Sequence, residues 1–150
     1  MRENRVLMQY FEWYLKPEDK WILTKLNKTI KEVRKNLDKY EFNNAGSSLY
    51  NFIWSDFCDN YIEMAKFSLD SNTTKSVLYK VLDSIIKMIS PFMPYVSEEI
   101  YSMLPFRDSD SIMISTYPKV EEELIYSETE INDVIEFIKT FRTYKLENSI

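Results

Sequence analysis

No histidine occurs in the 150 residues of this chain. Its absence removes the usual general base, the commonest metal ligand and every Ser-His or Cys-His nucleophile pair. There is one glycine, Gly46, so no Gly-rich phosphate loop can be built and tight hairpins are scarcely possible. A single cysteine, Cys58, excludes an intramolecular disulfide and a cysteine zinc cluster. No apolar run of membrane-spanning length and no signal-peptide pattern is present. The expectation is a cytoplasmic protein with no cofactor, no metal and no membrane partner.

What is present points to helices. At 150 residues the chain is one domain, long enough to bury roughly two-thirds of the surface its unfolded form would expose. Hydrophobic residues make up 45% and aromatics 15%, too many for a disordered chain, while 29% charge supplies a solvated surface. With glycine and proline so sparse, helix-compatible residues fill long intervals. The fold class expected is all-α, a bundle of five to six helices.

The apolar spacing divides the chain. Pro17 opens a segment in which Ile22, Leu26, Ile30, Val33, Leu37 and Tyr40 recur every three or four residues, predicting a helix over about 18–39. Asn43 and Asn44 are candidate caps for a central helix. Its apolar side holds Leu49, Phe52, Ile53, Phe57, Tyr61 and Met64, with Trp54, Cys58, Ile62 and Ala65 widening it almost all round. Val77 to Ile89 carry a third stripe that Pro91 terminates, and Pro91 and Pro94 turn the chain. Ser97 is expected to cap a short helix ending near Leu104, with Glu98 and Glu99 where the helix dipole favours negative charge. Residues 105–126 read as a connection in which Ile112–Ile114 packs as an extended piece. Ser127 and Glu130 form an expected capping box for a last helix through Phe141.

Three segments are not required by periodicity. Phe52-Ile-Trp-Ser-Asp-Phe-Cys-Asp-Asn-Tyr-Ile-Glu63 places acids and a cysteine inside an aromatic run; Ser90-Pro-Phe-Met-Pro-Tyr-Val-Ser-Glu-Glu-Ile-Tyr101 and Ser111-Ile-Met-Ile-Ser-Thr-Tyr-Pro118 follow in order. Together they resemble the anticodon-binding helical domain of valyl-tRNA synthetases, over about Asp19 to the C-terminus. Trp54, Asp56, Phe57, Cys58, Asp59, Tyr61, Glu63, Pro91, Pro94, Glu98 and Glu99 carry the resemblance. It implies a module that holds a tRNA anticodon stem-loop, with valine-accepting tRNA and the remaining synthetase domains as partners. The His-Ile-Gly-His and Lys-Met-Ser-Lys-Ser motifs of a class I synthetase are not here, so no catalysis is expected from this module, read as lacking the catalytic and editing domains.

The N-terminal segment, 1–16, is read separately from the bundle at 17–150. Arg5-Val-Leu-Met8 resembles the end of the helix that precedes the bundle in the synthetases, a helix the family implies for base reading. An incomplete remnant predicts weak discrimination between tRNAs. Met8-Gln-Tyr-Phe-Glu-Trp-Tyr14 also resembles the opening strand of α-amylases, whose barrel of roughly 250 residues cannot be made from this chain.

Charge bears on RNA independently. The net charge of −5 lacks the basic footprint of an autonomous nucleic-acid binder. Residues 16–39, however, carry eight bases and four acids, a local +4, and residues 121–150 carry three bases and eight acids, a local −5. Lys28, Lys31, Lys35 and Lys39 fall on one helix face, either as a solvated surface or as contacts to phosphates, with Arg5 a further candidate RNA contact. Trp54, Phe57, Tyr61 and Trp21 are expected in the core, stacking against loop bases being the alternative. Asp56, Asp59 and Glu63 are expected to bind Lys or Arg across the bundle or to accept hydrogen bonds from neighbouring helices, and Cys58 to be a small buried hydrophobe. The rival to an RNA-binding module is a helical protein-interaction or structural module.

Overall fold

The computed structural model describes residues 15–148. Arg5, the Met8–Tyr14 segment and most of the separate 1–16 stretch lie outside the described residues. Among the described residues all regular structure is helical.

The first helix, α1 (Pro17–Asp38), opens with Pro17, whose missing N–H would have been unpaired there in any case. Asp19 in the first turn accepts from the Lys16 backbone N–H at 3.4 Å. Its stripe of Trp21, Ile22, Leu23, Leu26, Ile30 and Val33 is buried and forms one wall of the core. The helix stops in a Schellman turn: Tyr40 N–H donates to Leu37 O at 3.0 Å and Glu41 N–H to Asn36 O at 2.8 Å. The left-handed residue of that turn is Tyr40, with φ of 60°, where glycine or asparagine is the usual occupant.

Residues 42–65 form one helical rod whose winding changes along its length. It begins as α2 (Phe42–Asn51), passes through a π-helical segment (Phe52–Tyr61) and ends as α3 (Ile62–Ala65), with right-handed helical backbone at each junction. Bonds from i to i+5 place an extra residue in each turn. Phe52, Phe57 and Tyr61, at intervals of five and four, therefore share the buried face. That change overturns one expectation: Trp54 is rotated off the core face and is 53% exposed. Cys58 is half-buried against the core and is not enclosed, and burial pushes its thiol pKa up.

After a 3-10 turn at Lys66–Ser68, α4 (Asn72–Ile89) starts with Ser71 Oγ accepting from the Thr74 N–H at 3.4 Å. Its Val77, Val81, Ile85 and Met88 close the core against α1 and the rod. Pro91 and Pro94 redirect the chain into α5 (Pro94–Met103), Pro94 being its first residue. Ser97 is consequently inside α5 and does not cap it, and Glu98 and Glu99 lie beyond its first turn. Glu98 has another role: Oε2 accepts from Ser111 Oγ at 2.8 Å and from the Ile112 N–H at 3.0 Å. Ile112–Ile114 is a 3-10 turn, not an extended piece, with Ile112 buried beside Ile86 and Tyr101 in a small second core. The last helix, α6 (Thr129–Glu147), has Glu128 at its N-cap. The expected Ser127–Glu130 capping box is not formed, since Ser127 Oγ instead meets Thr129 Oγ1 at 3.3 Å.

The 105–128 connection is fastened across α1 by polar groups. Glu121 N–H donates to Asn27 Oδ1 and Tyr126 N–H to Thr24 Oγ1, both at 2.8 Å, and Arg34 donates to Pro118 O at 3.0 Å. Trp21 Nε1 donates to Asn132 Oδ1 at 2.9 Å and ties α6 to α1. A long irregular segment needs such partners because its backbone groups have none of their own. The result fixes the connection along the charged side of α1.

Candidate nucleic-acid interface

The lysines singled out on α1 do not share one environment. Lys28 Nζ lies 2.8 Å from Glu128 Oε2, which is also 4.0 Å from Lys25 Nζ. Its charge is answered inside the protein. Lys31, Lys35 and Lys39 are exposed and border an open depression together with Arg34, Asp38 and Val120. Spacing alone places these three lysines on one face; the salt bridge that removes Lys28 comes from a residue 100 positions away. Arg34 was missed by the lysine pattern. Its guanidinium lies 5.8 Å from the Tyr117 ring centroid while donating to Pro118 O, so it joins the basic cluster through the tertiary fold.

The clustered bases have the chemistry for phosphates. Four cations against Asp38 along an exposed helix face give a local positive field, although the chain as a whole is acidic. Such contacts position RNA without reading its sequence.

Close to the C-terminal end of α1 lies a second kind of surface. Tyr40, Phe42, Tyr50 and Trp54 are 80%, 54%, 62% and 53% exposed. Tyr40 and Phe42 meet edge to face at 6.3 Å, and Tyr50 and Trp54 lie tilted at 6.1 Å. Exposed aromatic faces beside cations are the elements with which proteins hold unpaired RNA bases. Of the other aromatics considered for stacking, Trp21, Phe57 and Tyr61 are core.

The acids of the central rod serve less than expected. Glu63 pairs at 2.6 Å with Lys66, three residues further along the chain, and Asp59 is exposed. Asp56 is half-buried; burial pushes its carboxyl pKa up, with Lys25 and Lys139 opposing the rise and Glu128 reinforcing it. None of them bridges the bundle by an ion pair among the described residues. The carboxylate that does cross it is Asp19, fully buried and accepting from Tyr61 Oη at 2.6 Å and Thr74 Oγ1 at 3.1 Å. A lone Asp near a helix start gave no sign of this in sequence. Among the described residues no group of three or more His, Cys, Asp or Glu is placed to hold a metal ion, and no helix is long and apolar enough to cross a membrane.

A second charged cluster sits under the connection. Lys87 Nζ lies 2.9 Å from Asp83 Oδ2 and 3.1 Å from Asp108 Oδ1, and Tyr101 Oη donates to Asp108 at 2.5 Å. The Tyr101 bond, the Lys87 ammonium and the Thr116 N–H together hold the Asp108 carboxyl down to about 2. This cluster anchors the loop and faces the connection, not the basic depression.

Residues 19–150 match the family described as the anticodon-binding domain of tRNA ligases. Valine–tRNA ligases of Staphylococcus aureus strains JH9 and Newman are 47% identical over 137 residues, covering 86% of this chain and 16% of each relative. The chain thus spans about one-sixth of the length of the curated relatives it matches.

Proposed function

The chain belongs to the anticodon-binding domain family of tRNA ligases, and from that premise we propose that it is the tRNA-holding, non-catalytic helical module of a valine–tRNA ligase, docking on the anticodon stem-loop. The observation that carries the reading is the exposed cluster of Lys31, Arg34, Lys35 and Lys39 at the end of α1 that leads into the exposed aromatics. Cations there meet stem phosphates and fix orientation, while flat aromatic faces receive bases that a loop leaves unstacked. Nothing in this task requires bond making. The synthetic activity of the relatives, attachment of valine to tRNA, belongs to a longer protein in which such a module selects and orients the tRNA. A cytoplasmic setting follows from that role.

Backbone footprinting of valine-accepting tRNA with the full chain tests the proposal. Protection confined to the anticodon arm is expected; protection of the acceptor stem alone, or none at all, would contradict it.

One observation favours an additional docking role. Val134, Phe137, Phe141, Tyr144 and Leu146 on α6 are 49–81% exposed, and Phe137 stacks on Phe141 at 6.4 Å. An apolar face of this extent on a polar helix suits contact with another protein surface.

A further inference from the structure

Gly46, the only glycine of the chain, stands in the interior of α2 without a structural reason. Its φ is not in the left-handed region, and a Cβ built on it would meet nothing within 4 Å. Neither backbone freedom nor close packing therefore calls for glycine, which weakens a helix relative to alanine. Six residues earlier the opposite inversion occurs: Tyr40, a bulky residue, occupies the left-handed position where glycine is preferred. Local rules broken without a gain in packing tend to mark sites where something else is served.

Both inversions border one feature. Phe42, Gly46, Tyr50 and Trp54 follow at intervals of four along the rod and share a face, so the glycine is a gap in an otherwise aromatic row. The gap opens into a solvent-open depression whose other side is Phe92, beyond the end of α4. Phe42 and Tyr50 stand about 12 Å apart along the axis, at 1.5 Å per residue. Asn43, Ser47 and Asn51 supply the polar lining. Among the described residues no charged one lines this depression, in contrast to the basic one on α1.

We infer that the slot over Gly46 is a nucleobase-binding subsite, taking an unstacked base of an RNA loop against one of the aromatic faces that border it. The ligand class follows from the lining. Aromatic rings stack on the flat faces of a base, and amide and hydroxyl groups have both donors and acceptors for its edge. An aliphatic ligand would leave the amides without purpose, and a phosphate would find no cation. Glycine at the floor lets a planar ring approach the helix backbone more closely than any side chain would permit. Tyr40, held outward by its left-handed turn and edge to face with Phe42, extends the row toward the basic end of α1. This inference rests on the proposed RNA-binding function and adds to it a position at which bases are held.

The test uses the full chain and an anticodon stem-loop hairpin with a fluorescent adenine analogue in its loop. Anisotropy reads total binding and quenching of the analogue reads stacking. Gly46→Leu fills the slot with a better helix former, so its melting temperature is expected to equal or exceed the parent's, while hairpin affinity falls about tenfold and quenching is lost. Tyr50→Ala, at an exposed position, is expected to lose quenching in the same way, and Tyr50→Phe to keep it. The salt dependence of binding is expected to stay as in the parent, because no phosphate contact is removed. Hairpin binding and quenching unchanged in both Gly46→Leu and Tyr50→Ala would overturn the slot and leave the proposed function standing. No hairpin binding by the parent chain would overturn both.

Discussion

The Tyr61 hydroxyl donates a 2.6 Å hydrogen bond to Asp19 Oδ1, joining the π-helical segment to the first turn of α1 across 42 positions. Thr74 of α4 donates to the other oxygen at 3.1 Å, so one buried carboxylate orients three elements. Apolar packing is not directional in this way. Tyr61→Phe should keep the ring's packing and leave Asp19 short of a donor, costing about 1.5–3 kcal/mol in chemical denaturation. A variant as stable as the parent would show the bond to be incidental.

The same carboxylate makes a pH prediction. Burial pushes the Asp19 pKa up from its ordinary 3.8, and the bonds from Tyr61 and Thr74 only partly oppose this. The native state therefore holds the Asp19 proton more tightly than the unfolded chain. Stability linked to this group is fully present below 3.8 and is lost as pH rises through the raised value. The stability gap between parent and Asp19→Asn should accordingly narrow as pH rises through that window. A gap that widens would give the shift the opposite sign.

Asp108 should behave in the reverse manner. Its carboxyl is held down to about 2 by Tyr101 first, then by Lys87 and the Thr116 N–H, so its contribution is present above the ordinary 3.8 and lost as pH falls toward 2. The Asp108 side chain is 40% exposed, and solvent screening makes the effect smaller than the shift alone implies. Parent minus Asp108→Asn stability, followed by circular dichroism from pH 5 to 2, should shrink on acidification. A constant difference would detach Asp108 from the acid response.

Neighbouring aromatics on the rod should separate sharply. Phe57 is 8% exposed and Trp54 53%. Phe57→Ala is expected to cost about 3–5 kcal/mol, the range for a core phenylalanine. Trp54→Ala should stay within about 1 kcal/mol of the parent. Equal losses in thermal melts would mean that the π-wound segment does not turn Trp54 outward.

That contrast shows where sequence stops being informative. The Pro17 start, the Pro91–Pro94 turn and the α1 stripe from Ile22 to Val33 follow from spacing and from proline chemistry and lie where the pattern places them, whereas Tyr40, the last residue of the expected stripe, falls beyond the helix in a left-handed turn and is 80% exposed. Trp54 does not, because an α-helical period was applied to residues wound with i to i+5 bonds. Ser97 and Ser127 have the right residue types for caps, yet Pro94 starts α5 earlier and Ser127 turns to Thr129. For the candidate site, the lysine face was legible as a spacing of three and four. The capture of Lys28 by Glu128 and the recruitment of Arg34 by Tyr117 and Pro118 were not, since both depend on a connection packed over α1.

Glu128 gives a direct handle on that capture. Glu128→Gln removes the carboxylate that faces Lys25 and Lys28, freeing their charge toward the same side of α1 as Lys31. RNA affinity at low salt should rise a few-fold, while the melting temperature falls modestly, since the Glu128 side chain is 13% exposed and gives up a charge-assisted bond to a Lys28 that is 60% exposed. Unchanged affinity would place the RNA away from this part of α1.

The central claim, that the end of α1 holds tRNA by its phosphates, is tested most directly by the salt dependence of binding. The full chain is titrated with valine-accepting tRNA over a series of salt concentrations, beside the Lys31→Gln, Lys35→Gln, Lys39→Gln triple variant. With about −0.7 to −0.9 in log–log slope per phosphate contact, the four cations Lys31, Arg34, Lys35 and Lys39 predict a parent slope of roughly −3, and the variant, which keeps only Arg34 of the four, a slope of roughly −1. Tight binding whose slope is the same in parent and triple variant would contradict the account.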